Sequence, residues 1–571
     1  YIEKIMKNEK QKQLKVLPLG GMGNVSQNMF VYEYGDEILL VDCGLGFPDQ
    51  KTPGVDILIP DISYLLEQIT NDKKRIVGMI LSHGHDDHIG SLPYIIPQLP
   101  PFPILGSALT IGFANHRLQD GGATAETTVL PDYQKLELSE NFNVRLLPMT
   151  HSVPDTKHII IGTKVGNIYH GSDYKIDRTP VDGVKCDIGF MEKISKEEGI
   201  KLCLTDCLGV ERGQWGKSES AVGPELERVM RETRGKLIVT LMSSHIHRIQ
   251  QVINAANKLG RKVALVGRSV EQNVKVALDL KKMRVPVGVM INKAYANEYP
   301  DESLVLIVAG SQGQEGSAMM RAIYGTHPEI QIKPQDKVIF SADAIPGNEV
   351  NYYSAVDELC INGVETIYPT IDELVHHSGH ANEPEQVFLL EKIKPRWVMP
   401  IGGNNRHRVR YKNLVAPAAG LKREQVLLPL EGEMLSLSEH GEINLVDTII
   451  LRPQYVDGLG VGDVGPAVLR DRQALSRSGM IIVIVKRKNG KFDFQDIHVV
   501  SRGFVFMRDA QEVVDYIKSR TAELIKELSG KKEGGKVRVV ELENGVQRGL
   551  AKSLYKIIER EPMIEVEIVD W

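Results

Sequence analysis

Seven consecutive residues, Ser82-His-Gly-His-Asp-Asp-His88, constrain this 571-residue chain more than any other feature. Four potential metal ligands stand in six positions, in the order H-x-H-x-D-H, directly after the apolar run Arg75–Leu81 that reads as a strand. A tight loop at a strand end can aim His83 and His85 at one cation, while Asp87 and His88, opening the next helix, aim at a second. Imidazole and carboxylate without thiolate suit Zn²⁺ or Mn²⁺ rather than a purely structural zinc knot. A polar helix cap with surface histidines would need only one or two of these residues.

Composition sets the frame for such a site. The chain is 42% hydrophobic, 25% charged and 6% aromatic, which excludes a disordered or fibrous polymer. Apolar stretches such as Met480–Val485 are too short to span a bilayer, and the polar, lysine-rich start has no apolar signal region. Five cysteines form no regular framework, so the expectation is a reduced, cytoplasmic protein without membrane attachment. The net charge of −5 provides no general field for nucleic acid, and any such ligand needs a local basic groove.

Along the chain, the first part mixes hairpins and helices: Val16–Leu19, Met29–Tyr34, Glu37–Val41, Ile76–Leu81, Val144–Pro148 and His158–Thr163 read as strands. From about Glu211 the pattern becomes regular β-α alternation, with strands at Lys236–Leu241, Lys262–Val266, Leu304–Val308 and Lys337–Ser341. Short strands are expected to return over 371–447. The expected division is 1–210 and 371–450 for two parts of one α/β domain, 211–370 for an inserted domain, 451–465 for a linker and 466–571 for a small α+β domain. In the last, a strand at Lys536–Leu542 and a helix at Val546–Glu559 are expected. Gly460-Val-Gly-Asp-Val-Gly465 matches G-x-G-x-x-G, but Pro466 follows and no acidic residue closes a later strand, so a flexible joint is expected instead of a dinucleotide site.

Further ligands fall at downstream strand ends. His151 follows Val144–Thr150, Asp173 follows the strand near Gly166–Tyr169, and Asp42 ends Ile38–Val41, placed to orient a ligand histidine. These residues resemble the metallo-β-lactamase superfamily, whose fold is an αββα sandwich, and the inserted domain resembles the β-CASP nucleases. Nearly the whole chain is similar to bacterial ribonuclease J, through Gly20-Gly-Met-Gly23, Thr150-His-Ser-Val-Pro-Asp155, Lys217-Ser-Glu-Ser220, Ser243-Ser-His-Ile-His-Arg248, Gly310-Ser-Gln-Gly313, His376-His-Ser-Gly-His380 and Ser501-Arg-Gly-Phe504.

The resemblance implies a metal-dependent ribonuclease, endonucleolytic and 5′→3′ exonucleolytic, that hydrolyses phosphodiesters with a metal-activated hydroxide. His83, His85 and His151 would hold one zinc, Asp87 and His88 the other, with Asp173 bridging; Mn²⁺ or Mg²⁺ are alternatives. His380 would serve catalysis alongside Asp87, with Asp206 orienting it. His376, Ser378, Gly379, His380, Ser244, His247, Arg248 and Ser311 would contact RNA phosphate. The expected partners are single-stranded RNA, preferably 5′-monophosphorylated, and further copies of the chain in a dimer or tetramer built on the C-terminal domain.

One departure stands out. Ribonuclease J proteins carry P-x-H-G-E after the last strand of the catalytic domain, its histidine binding the second metal; here the stretch is Pro400-Ile-Gly-Gly-Asn404, with Gly402 in the ligand's place. His407, five residues on, matches a different family position and is not a simple replacement, because the shift would need a rebuilt loop; it is the first suspect if another residue fills the place. Weaker binding at the second site is expected. An RNA-binding relative with weakened or lost nuclease activity is the alternative reading.

Overall fold

The computed structural model describes residues 13–48, 52–458, 460–504, 511–530 and 538–570. They form two compact units. One holds the chain up to Phe47 and from Leu58 to Gln454; the other joins Pro48–Ile57 to Tyr455–Trp571.

The first unit is built on two facing sheets. Eight strands run in the order Ile443–Thr448, Glu433–Leu437, Leu14–Gly20, Met29–Tyr34, Glu37–Val41, Arg75–Leu81, Ile104–Gly106, Thr127–Val129. Six run in the order Trp397–Ile401, Leu202–Asp206, Gly166–His170, Lys157–Thr163, Asn143–Pro148, Leu136–Glu137. Alternate side chains of both sheets meet between them: Phe30, Tyr32, Leu39, Val41 and Ile80 from the first against Val144, Leu146, Ile159, Ile161, Leu204 and Ile401 from the second. The outer face of the six-stranded sheet carries Leu147, Ile160, Tyr169 and Cys203 against Met191 and Ile194 of helix Ile188–Glu198 and Leu389, Leu390 and Ile393 of helix Glu383–Ile393. Helix Ala108–Asp120 lies on the other sheet. This is the αββα sandwich that the resemblance implied.

A six-stranded, wholly parallel sheet interrupts that sandwich, in the order Met290–Ile291, Lys262–Val266, Leu304–Val308, Leu237–Thr240, Lys337–Phe340, Glu365–Ile367. Its strands are continuous apolar runs, as burial on both faces demands. The return of short strands over 371–447 is only partly observed. After His380 the chain forms helix Glu383–Ile393, and after strand Trp397–Ile401 a run of helical turns from Asn405 to Ala418.

In the second unit Met480–Lys488 lies between Lys491–Arg502, antiparallel to it, and Met563–Asp570, parallel to it. Their inward residues pack on helices Gln511–Gly530 and Val539–Ile558. The strand expected at Lys536–Leu542 is therefore corrected: Lys536 and Val537 lie outside the described residues, and the helix starts at Val539. The glycine-rich stretch before it forms a small hairpin, with Val456 paired to Val461 and Asp457 to Gly460. Among the described residues no helix is long and apolar enough to cross a membrane.

One buried carboxylate locks the second half of the sandwich to its loops. Glu385, fully buried in the first turn of helix Glu383–Ile393, accepts N–H groups of Ile176 (2.9 Å), Gly216 (2.9 Å) and Asn382 (3.0 Å). Replacing it by alanine strands three donors, two of them buried and that of Gly216 half-buried, so Glu385→Ala should cost about 3 kcal/mol. Urea denaturation of the full chain followed by circular dichroism tests this, and an unchanged midpoint contradicts it.

Candidate metal centre and substrate cleft

Every candidate ligand sits just beyond the C-terminal end of a strand. Glu37–Val41 and Arg75–Leu81 are parallel neighbours, so Asp42 and the 82–88 loop emerge side by side. On the facing sheet, Gly166–His170, Leu202–Asp206 and Trp397–Ile401 are mutually parallel, and Asn143–Pro148 shares their direction through two antiparallel pairings. Thus His151, Asp173, Asp206 and Gly402 reach the same edge. The 82–88 loop is held down by backbone bonds: Asn28 N–H to Asp87 O (3.0 Å), Cys43 N–H to His88 O (2.7 Å) and Leu45 N–H to Asp86 O (3.0 Å). Gly44 is required for this, since a Cβ there would stand 1.6 Å from Asp87 O.

Asp42, fully buried with φ +60°, organises the loop. One oxygen accepts Ser82 N–H (2.7 Å); the other accepts Ser82 Oγ–H (2.7 Å) and His88 Nδ1–H (2.7 Å). Against the cost of burial, Asp87, Asp173 and Asp42 hold the His88 ring well above the ordinary imidazole value, and with Nδ1 tied to Asp42 its Nε2 is the nitrogen left to face Asp173 (3.6 Å) and Asp87 (3.7 Å). The same logic applies to the other histidines. His151 Nδ1 donates to Gly379 O (2.7 Å), and the outward nitrogens of His83 and His85 meet Ser82 Oγ (3.0 Å) and Ser152 Oγ (3.1 Å).

The inward nitrogens converge. His85 Nδ1 lies 3.1 Å from His83 Nε2 and 3.2 Å from His151 Nε2, and Asp173 Oδ2 stands 3.8 Å from both Nε2 atoms. Burial drives His83 and His85 well below the ordinary imidazole value and His151 to about 3, so the three rings are neutral and turn lone pairs toward one another. Lone pairs at that separation repel unless a cation lies between them. Tetrahedral bonds of about 2.0–2.1 Å set donors roughly 3.3 Å apart, close to what is seen. The residues present fit a divalent cation. Asp87, His88 and Asp173 make a second set that shares Asp173, and Asp173, Asp206 and His380 a third. Burial, with Asp173, pushes Asp87 up to about 6 against the pull of His88, as expected of acids that a cation would hold ionised.

Asp206, fully buried, accepts Leu208 N–H (2.7 Å) on one oxygen and faces His380 Nδ1 (2.7 Å) with the other. Burial opposes a charge on His380, but Asp206 and Asp173 outweigh it and hold the ring up at about 9. At Gly402, with φ +66°, an added Cβ would lie 3.5 Å from Asp173 Oδ1 and 3.6 Å from Asp206 Oδ1, so the missing side chain points into the ligand cluster. His407 does not take its place. Its Nδ1 pairs with Asn404 N (3.2 Å) and its Nε2 faces Glu211 (3.4 Å).

Above the cluster opens a cleft of about 780 Å³, walled by His85, Asp87 and Asp173 on one side and by strand-end loops of the parallel sheet on the other. Ser244, Ser311, His376, Ser378, Gly379 and His380 line it. Gly379 must be glycine, because a Cβ would meet the His151 ring at 2.9 Å. Two expected phosphate contacts are corrected. Arg248 is fully buried, with both edges of its guanidinium engaged by protein, and His247 faces Asp182 (3.3 Å) outside the cleft. Helix Ile246–Lys258 turns both inward; His245, which caps it, is the histidine on the cleft. Sequence reading missed Ser82, Ser152 and Glu219, plain polar residues whose roles depend on burial. It also missed Arg268, Ser269 and Gln272, cleft residues that follow the strand end at Val266.

Known proteins share both the domains and their order. Family models for the metallo-β-lactamase superfamily, the ribonuclease J β-CASP domain and the ribonuclease J C-terminal domain match residues 22–173, 234–359 and 467–571. Similar curated proteins include ribonuclease J of Thermus thermophilus, 34% identical over 98% of this chain and 96% of that one. Ribonuclease J 1 of Streptococcus pyogenes is 32% identical over 97% of each, and ribonuclease J2 of Bacillus subtilis 30% identical over 98% and 99%. A solved protein of unknown function from Enterococcus faecalis shares the fold, with TM-score 0.52 and 15% identity, over 74% of this chain and all of that one. Three matching domains in order, and relatives aligned from end to end, place the chain in the ribonuclease J family, within the metallo-β-lactamase superfamily and its β-CASP group.

Proposed function

We propose that this protein is a metal-dependent ribonuclease acting in RNA processing and decay, as an endonuclease and as a 5′→3′ exonuclease on single-stranded RNA with a 5′-monophosphate. The observation that carries the proposal is the convergence of three neutral imidazoles on one point, with Asp173 shared by a second donor set, at the floor of a cleft of about 780 Å³. His83, His85, His151 and Asp173 would hold one divalent cation, zinc by the softness of the donors, and Asp87, His88 and Asp173 the other. Such a cation pair supplies Lewis acidity toward a water and the scissile phosphate. His380, kept protonated by Asp206, stands ready to give a proton to the leaving oxygen. Ser244 and Ser311 line the opposite wall, where they would receive the 5′ end. Domain divisions at about 210, 370, 450 and 465, and a homodimer or homotetramer joined through residues 466–571, complete the proposal.

Gly402 favours one other reading, an RNA-binding relative with weakened catalysis, because the second donor set has a single imidazole and an open side toward Asp173 and Asp206. Cleavage of 5′-monophosphate against 5′-triphosphate RNA, run beside metal analysis, separates the two. RNA bound without cleavage, with one metal per chain or none, supports the alternative.

His85→Ala should abolish hydrolysis and leave the fold intact, since it removes a donor at the edge of a large apolar core. Near-parental turnover in metal-controlled buffer contradicts the proposal. Gly402→His should tighten the second metal on the order of 10–100-fold. The left-handed backbone at 402 strains any side chain, which limits the gain; histidine is one of the residues found there more often than most, and the 3.5 and 3.6 Å approaches of its Cβ to the two carboxylates are ordinary contacts. Metal titration of apo wild type and variant checks this; two tightly bound ions in the wild type with no gain in the variant would refute it. Turnover should fall as rising pH strips the proton from His380. Asp206→Asn removes the carboxylate that raises that ring and should move the alkaline limb to lower pH, so a limb that stays in place assigns the proton to another group.

A further inference from the structure

Arg248 is, with Arg408, the largest fully buried side chain among the described residues, and its contacts run toward the cleft rather than into it. Nε and Nη2 grip the buried carboxylate of Glu219 at 2.7 and 2.6 Å. Nη2 also reaches His377 O (3.3 Å), and Nη1 meets Ser341 O and Oγ, each at 2.9 Å. Nη1 stands 2.8 Å from His376 Nδ1. A guanidinium nitrogen carries hydrogens and offers no lone pair, so it can only donate. A proton on Nδ1 would set two donors, one of them cationic, against each other at 2.8 Å. The one competing acceptor for that proton, Ser341 O, is farther, at 3.2 Å, and already serves Arg248.

We infer that Arg248, anchored by Glu219, is a positioning residue that holds His376 as its neutral Nε2–H tautomer, so that the ring presents an N–H donor to an RNA phosphate in the cleft. The inference deepens the proposed function and rests on it only for the identity of the phosphate. Arginine suits the task where lysine would not, because its planar fork binds Glu219 on one edge while the two hydrogens of Nη1 are shared among His376 Nδ1 and the two oxygens of Ser341. The groups facing His376 are few. Arg248 comes from helix Ile246–Lys258 and Glu219 from the turn Glu219–Ala221. Asp343, whose Oδ2 is 3.5 Å from Nε2 and 3.1 Å from Arg212, follows strand Lys337–Phe340, and His377 is the chain neighbour. Burial and then Arg248 both oppose a second proton on His376, while Asp343 favours one. Arg248 also joins the inserted parallel-sheet domain to the 376–380 loop, which carries His380.

The test reads the ring directly. Long-range ¹H–¹⁵N spectra of the full chain, labelled with ¹⁵N-histidine and loaded with zinc, report tautomer and charge, and the His376 signals are those lost in His376→Gln. The expected result is an Nε2–H tautomer at neutral pH; an Nδ1–H tautomer, or a doubly protonated ring, overturns the inference. The paired substitution Arg248→Gln with Glu219→Gln removes the cation without stranding a buried carboxylate. It should raise the pH at which His376 takes its second proton by about one unit or more. A folded double variant with tautomer and midpoint unchanged also overturns it, and if that variant does not fold, the wild-type spectrum alone decides. No RNA enters the measurement, so a chain that fails to cleave RNA strikes the proposed function and leaves this result standing or falling by itself.

Discussion

The carboxylate of Asp42 ties the ends of two neighbouring strands to the loop that carries four candidate ligands. It takes three hydrogen bonds, one from backbone and two from side chains, in a place without solvent. Charge-assisted bonds of this kind contribute roughly 1.5–3 kcal/mol each when the acceptor is ionised. A left-handed backbone at Asp42 is the local strain that these bonds offset. Through Ser82 and His88 its influence reaches both donor sets. The close approach of Gly44 to Asp87 then leaves the loop no other path.

A second dependency runs from the first donor set to the cleft wall. His151 Nδ1–H binds Gly379 O, so the loop from His376 to His380 is indexed to a candidate metal ligand. On its other side the loop rests on Arg248 and on Lys175, whose Nζ donates to Ser378 O at 3.0 Å. The cleft wall is therefore not a surface loop in energetic terms. Two buried cations hold its carbonyls, and glycine at 379 lets it approach the imidazole to van der Waals distance.

Much of this is legible in sequence, for reasons that are themselves physical. Ligands at strand ends follow short apolar runs, so Asp42, His83, His151 and Asp173 can be found by counting from the run. The parallel sheet is readable because its strands and helices alternate at regular length. Failures come where a residue's type and its burial disagree. Arg248 and His247 read as phosphate contacts because the resemblance sets the Ser243–Arg248 segment on the channel, yet the amphipathic face of helix Ile246–Lys258 turns both toward the interior. The helix from Val539 reads as a strand because Val539 and Val540 continue a β-branched run. Leu542, Val546, Leu550 and Leu554, four residues apart, pack on the sheet as only a helix allows. The grouping of Pro48–Ile57 with the C-terminal unit has no local signal; it rests on pairings such as Asp56 N–H to Val456 O.

The two donor sets are chemically unequal, and the inequality follows from one backbone position. Three imidazoles and a carboxylate make the first a donor set compatible with a divalent cation. The second has one imidazole and two carboxylates, one of them shared, and Gly402 leaves open the side from which a further side chain could reach it. Asp206 borders that opening, but its carboxylate already serves Leu208 and His380. Were Asp206 to turn to a cation, it would release His380, which its negative charge keeps protonated. The arrangement thus sets metal affinity at the second site against proton supply at His380. On the proposed assignment, a glycine at 402, with Asp206 held by its two partners, would keep the proton and leave the second ion the weaker hold.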